Sequence, residues 1–124
     1  MKSILVVDDE VAIADVLAAI LSDAGYDVIL ASNGKHALAR LDTVTPHLIM
    51  TDFMMPVLDG KGLIATVKAD PRFRDIPIIV MTSIPQGTVA EQSKDHADFL
   101  RKPFRIRDVL AAVEKLIGRG TASK

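Results

Sequence analysis

Four short apolar runs in this chain each stop at a residue able to handle charge. Ile4-Leu5-Val6-Val7 runs into Asp8-Asp9, His47-Leu48-Ile49-Met50-Thr51 into Asp52, and Phe99-Leu100-Arg101 into Lys102 ahead of Pro103. A fourth, Ile76-Pro77-Ile78-Ile79-Val80-Met81, ends at the hydroxyl pair Thr82-Ser83. Short β-branched runs bounded by turn residues are the pattern of strands buried on both faces, as a parallel sheet requires. In an open parallel sheet, ligands gather outside the carboxyl ends of the strands. One edge of such a sheet would collect three carboxylates, a hydroxyl and an ammonium around a single crevice.

Helical patterns fill the gaps. After Asp9, the residues Ile13, Val16, Leu17, Ile20 and Leu21 recur at helical spacing and predict an inward stripe, with Gly25 as the stop. Asp27-Val28-Ile29-Leu30-Ala31 reads as a second strand. Asn33 is placed to cap a helix that turns Ala37, Leu38 and Leu41 inward. Residues 60–69 predict a third helix with Leu63, Ile64 and Val67 inward, closed before Pro71. Ile106, Val109, Leu110, Val113, Leu116 and Ile117 mark the last one. Residues 85–96 hold Pro85, Gly87 and few large apolar side chains, which predicts a short fourth helix. Strand then helix, five times over, means right-handed crossovers and an α/β sheet covered on both faces. Residues 1–117 are expected to form the domain, and the small, polar residues 118–124 a tail or linker stub.

Composition narrows the chemistry. At 124 residues the chain suits one domain with a proper core. It contains no cysteine, which rules out disulfides, thiolate metal sites and cysteine nucleophiles. No apolar stretch approaches the roughly 18 residues that span a bilayer, so no membrane partner and a cytoplasmic location are expected. Residues 1–60 hold nine acids and three bases, residues 61–124 seven acids and twelve bases. The acidic half carries the crevice carboxylates, which fits a cation site. DNA binding is not expected, since there is no basic run or aromatic stacking set. His36 and His96 lack metal-ligand spacing, and His47 sits at a strand entrance.

At the ends of its strands the chain resembles the receiver domain of two-component response regulators, proteins phosphorylated on aspartate by histidine kinases. The matching pieces are Val7-Asp8-Asp9-Glu10, Thr51-Asp52-Phe53-Met54-Met55-Pro56 with Asp59-Gly60, Met81-Thr82-Ser83 and Lys102-Pro103-Phe104. The resemblance runs from residue 2 to residue 117. It implies a doubly wound, flavodoxin-like sheet of five strands in the order 2-1-3-4-5 with five helices. It also implies magnesium, with Asp9, Asp52 and the backbone carbonyl of Met54 as direct ligands and Asp8 acting through water. Asp52 would be the phosphoacceptor. Thr82, the Ser83 amide and Lys102 would hold the phosphoryl oxygens, and a cis Lys102–Pro103 bond would aim the lysine inward.

The residue types suit that chemistry. Neighbouring carboxylates repel each other and resist ionisation unless a cation sits among them. Magnesium takes oxygen ligands and neutralises charge between an attacking carboxylate and a phosphoryl group. Donors on the equatorial oxygens then do most of the catalysis by position and charge. Each residue alone also has a plain role: Asp8-Asp9 as a helix N-terminus, Asp52 as a turn former, Lys102 as a surface lysine. Their joint position at four successive strand ends favours the site.

The resemblance implies a signalling domain rather than an enzyme, catalysing only its own phosphorylation and dephosphorylation. A sensor histidine kinase or histidine phosphotransfer protein would donate to Asp52. Thr82 would then draw in, Phe99 would move, and the face of the fourth helix, fifth strand and fifth helix would change its affinity for an output protein. Two departures stand out. Phe99 sits where many receivers carry tyrosine, and Met54 and Ile84 are apolar where a polar side chain often orients the hydrolytic water, which predicts slow dephosphorylation. An aspartate-nucleophile phosphatase would need a second acid after the nucleophile, whereas Phe53-Met54-Met55 follows Asp52. A flavodoxin would need hydroxyls and glycines where Asp8-Asp9-Glu10 stands.

Overall fold

The computed structural model describes residues 2–83 and 97–120. In chain order they form β1 (Ser3–Val7), α1 (Val11–Asp23), β2 (Asp27–Ala31), α2 (Gly34–Leu41), β3 (Leu48–Asp52), α3 (Gly60–Ala69), β4 (Ile78–Thr82), β5 (Asp98–Arg101) and α4 (Ile106–Ile117). All strand pairs are parallel and the sheet order is β2-β1-β3-β4-β5, as expected. The helix expected within 85–96 and Ile84 lie outside the described residues, so α4 is the last of the five expected helices.

Alternation along the strands divides the core in two. Leu5, Val7, Ile49, Ile78 and Val80 pack with Ala37, Leu41, Leu63, Ile64 and Val67 of α2 and α3. Ile4, Val6, Leu48, Met50, Ile79 and Met81 point the other way, onto Leu17 and Leu21 of α1 and Val109 and Val113 of α4. Burying such a side chain is worth roughly 1.5–3 kcal/mol, so the pattern of period two holds the register firmly.

The helix boundaries follow from local chemistry. Asn33 Oδ1 accepts the His36 amide at 2.8 Å, and Asp59 Oδ1 the Gly62 amide at 2.8 Å, capping α2 and α3. α1 ends in a Schellman turn. Gly25 takes φ 94°, its amide reaches the Ser22 carbonyl, and the Tyr26 amide reaches that of Leu21.

One expectation needs correction. Val16 is 54% exposed, because the stripe of α1 that meets the sheet is centred on Ala14, Leu17 and Leu21. At the other end, contacts reach into the first residues of the expected tail. Tyr26 donates its hydroxyl to the Gly118 carbonyl at 2.5 Å, and Gly120 is buried so closely against Ala24 and Gly25 that a Cβ there would collide with the Ala24 carbonyl oxygen. Residues 121–124 lie outside the described part.

Candidate functional site

The register places the four motifs at one edge. Val7 pairs with Thr51, Asp52 with Met81, and Thr82 with Arg101, so Asp8, Asp52, Thr82 and Lys102 lie at or one step beyond the strand ends. The Lys102 amide donates to the Thr82 carbonyl at 2.9 Å, which extends the β4–β5 pairing to the lysine itself. The Lys102–Pro103 bond is cis, as expected. Behind Asp52, the Gly60 amide donates to the Phe53 carbonyl at 2.9 Å. A Cβ on Gly60 would stand 2.6 Å from the Asp52 carbonyl oxygen, so only glycine lets α3 start this close to Asp52.

Inside the crevice the charges converge. Lys102 Nζ lies 2.9 Å from Asp8 Oδ2, 3.4 Å from Glu10 Oε1 and 3.5 Å from Asp52 Oδ2. Asp8 also accepts the Glu10 amide through Oδ1 at 2.9 Å. Asp8 and Asp52 are buried. Among the described residues, carboxylate oxygens of Asp8, Glu10 and Asp52 lie within 4.8 Å of one another. An all-oxygen donor set with this much negative charge fits a hard divalent cation such as magnesium.

Electrostatics distinguish the nucleophile candidate from its neighbours. Burial lifts the Asp52 pKa from the ordinary 3.8 to about 6; Lys102 opposes the rise, while the charges of Asp8 and Asp9 add to it. A backbone hydrogen bond from Met54 also favours the ionised form. For Lys102, burial works against the charge, but the hydrogen bond to Asp8 and the charges of Asp52, Asp8 and Glu10 outweigh it and hold the pKa above its usual value. An ion pair normally lowers the pKa of its acid, yet that of Asp52 is raised. The geometry accounts for this: the ammonium sits closest to Asp8, so Asp52 is buried with only a share of its counterion.

The other expected residues are placed as follows. Thr82 is buried at the end of β4 and Ser83 is exposed just beyond it. Phe99 is half-buried and packs against the core on the α2–α3 side. The Met54 side chain is 61% exposed. Asp9 is exposed and does not join the close carboxylate group. Glu10 does join it, a role that the sequence motif did not suggest. The available signal was its position two residues after Asp8, at the N-cap of α1, where glutamate is a poor cap.

The loop after Asp52 carries strain. Val57 has φ 70°, and the Leu58 amide donates to the Pro56 carbonyl at 2.8 Å, which together make a γ-turn about a β-branched residue. The Val57 side chain is 76% exposed, so packing gains little from it. Val57→Gly is therefore expected to stabilise the fold by about 1 kcal/mol. A denaturant midpoint at or below that of the parent would contradict this.

The comparisons with known proteins agree with this geometry. Residues 4–114 match the family model described as the response regulator receiver domain. The DNA-binding dual master transcriptional regulator RpaA of Synechocystis is 37% identical over 121 residues, covering 96% of this chain and 50% of the regulator. The alkaline phosphatase synthesis regulator PhoP of Bacillus subtilis is 37% identical over 120 residues, covering 95% of this chain and 49% of its own. The chain thus spans about half the length of these relatives. Among solved structures, the Vibrio cholerae chemotaxis protein CheY4 superimposes with a TM-score of 0.90 at 28% identity, covering 94% of this chain and 99% of that one. The response regulator TrrA of Thermotoga maritima, in complex with Mg2+ and BeF, gives 0.85 at 29% identity, covering 94% and 100%. With its motifs at one sheet edge and its whole core matched in sequence and in fold, the chain belongs to the response regulator receiver domain family.

Proposed function

We propose that this domain accepts a phosphoryl group from a phosphohistidine onto Asp52 and thereby changes its affinity for a protein partner. One observation carries the proposal: Lys102 Nζ bridges the buried Asp8, at 2.9 Å, and the buried Asp52, at 3.5 Å, in one crevice. Asp52 supplies the attacking oxygen, and its burial strips the hydration that would blunt it. Lys102 is a compact cation for one phosphoryl oxygen, and the Thr82 hydroxyl and Ser83 amide are at hand for others. Asp52, the Met54 carbonyl and Asp9 would hold magnesium with Asp8 beside them, Asp9 turning in from its place outside the close carboxylate group. When bound, the ion supplies charge neutralisation between carboxylate and phosphoryl group. Two structural relatives were solved with magnesium, the receiver of the sensor kinase PA1611 of Pseudomonas aeruginosa and TrrA, which supports that choice.

In this reading the domain turns over only its own phosphoryl group, so it is a switch rather than an enzyme. A sensor histidine kinase or a histidine phosphotransfer protein donates, and an output protein responds to the face around β5 and α4. That face carries Arg105, Arg107, Asp108, Glu114 and Lys115 in mixed sign, which favours protein over DNA. No helix among the described residues is long and apolar enough to cross a membrane.

Label transfer tests the proposal. With magnesium, radioactive phosphate on a donor histidine moves to this chain, and EDTA stops the transfer. Label that stays on the histidine in magnesium, with every donor tried, would overturn the reading.

A further inference from the structure

Glu10 occupies the N-cap of α1 without capping it, since its side chain makes no hydrogen bond to the first-turn amides. Short side chains cap well because their oxygens reach those amides, as Asn33 and Asp59 do on α2 and α3. Glutamate at this position forgoes roughly 1 kcal/mol of helix stability. Its carboxylate is instead turned to Lys102, with Oε1 3.4 Å from Nζ across 92 positions of sequence. Local rules broken without local gain tend to mark function.

The ammonium has three protons and three carboxylates around it. Asp8 and Asp52 are carried on strand ends with side chains 0% and 8% exposed, whereas the Glu10 side chain is 60% exposed and stands on the solvent side. In the function proposed above, Asp52 receives the phosphoryl group and Asp8 stands by the cation. Glu10 lies in the close carboxylate group but is neither the phosphoacceptor nor one of the direct magnesium ligands in that reading.

We propose that Glu10 is a positioning residue: it holds the Lys102 ammonium toward the open side of the crevice, where an incoming phosphoryl oxygen first meets it. The inference rests on Asp52 being the phosphoacceptor. It explains why the helix end carries a long acid in place of a cap. It also explains how Lys102 keeps a partner while Asp8 and Asp52 are engaged elsewhere.

Two variants separate reach from charge. Glu10→Asp keeps the charge, shortens the side chain by one methylene and gives α1 a true cap. Glu10→Gln keeps the reach and removes the ionic pull. Four quantities are measured on parent and variants: labelling rate of Asp52 with phosphoramidate, Lys102 side-chain order from 13Cε relaxation, magnesium affinity without phosphodonor, and unfolding midpoint. For both variants labelling is expected to slow about three- to five-fold, the scale of one partly exposed ion pair. Lys102 order falls in both, magnesium affinity falls by less than tenfold, and the midpoint of Glu10→Asp equals or exceeds that of the parent.

Parent-like rate and parent-like Lys102 order in Glu10→Asp would overturn the inference. So would a loss of magnesium affinity of about tenfold with Lys102 order unchanged, which would make Glu10 a cation ligand. A lower midpoint with unchanged Lys102 order would mark a fold defect and count equally against it. Failure of the parent itself to label on Asp52 would instead overturn the proposed function, so the two failures are distinguishable.

Discussion

Incubated with magnesium and acetyl phosphate, the parent chain is expected to gain one acid-labile phosphoryl group, and Asp52→Asn none. The small donor suffices because this chain holds most of the groups the transition state needs. In the proposed reading Asp52 is the nucleophile; Lys102 lies 3.5 Å away, and Thr82 is buried at the next strand end. Asparagine preserves the shape of the side chain but has no carboxylate oxygen to bond phosphorus. Intact mass resolves the two species directly. Equal labelling of Asp52→Asn would move the phosphoacceptor to another residue.

The same substitution is expected to stabilise the fold when EDTA is present. Asp52 has a pKa of about 6 in the folded chain against an ordinary 3.8, so the folded state binds its proton more tightly than the unfolded state does. The stability it contributes is full below pH 3.8 and is lost as pH rises through about 6. At 1.36 kcal/mol per pKa unit the loss at pH 7 is about 3 kcal/mol. The asparagine side chain of the variant does not ionise and escapes it. The advantage of Asp52→Asn should therefore be absent near pH 4, grow between pH 4 and 6, and level off above. Denaturant unfolding of both proteins across that range measures it, and the difference between them cancels groups that titrate alike in each. A constant or reversed difference would show that Asp52 is not destabilised by its surroundings. Magnesium should narrow the gap at pH 7 by binding the folded parent more tightly than the variant.

The fold was legible because its signals are local. β-branched runs such as Leu48–Asp52, the caps Asn33 and Asp59, and the stops at Gly25 and Pro71 each act within a few residues. Alternating strand and helix then leave few topologies. The crevice was legible for the same reason, because a strand end is a local position and parallel strands bring their ends to one edge.

By itself, then, the sequence determined the order of elements, the carboxyl-edge location of Asp8, Asp52, Thr82 and Lys102, and the family. The tertiary structure decided what depends on reach and on facing surfaces. It brought Glu10 to Lys102 and left Asp9 outside the close carboxylate group, although both lie within two residues of Asp8. It turned Val16 outward while Leu17 went in, because the angle at which α1 meets the sheet is set by neighbours and not by helical period. It docked Gly118 and Gly120 onto Tyr26, Ala24 and Gly25, and it raised the pKa of Asp52 by burying it with a shared counterion. In each case the deciding contact joins residues far apart along the chain, as with Lys102 and Asp8, 94 positions apart. Side-chain direction and depth at such contacts exist only once the packing does.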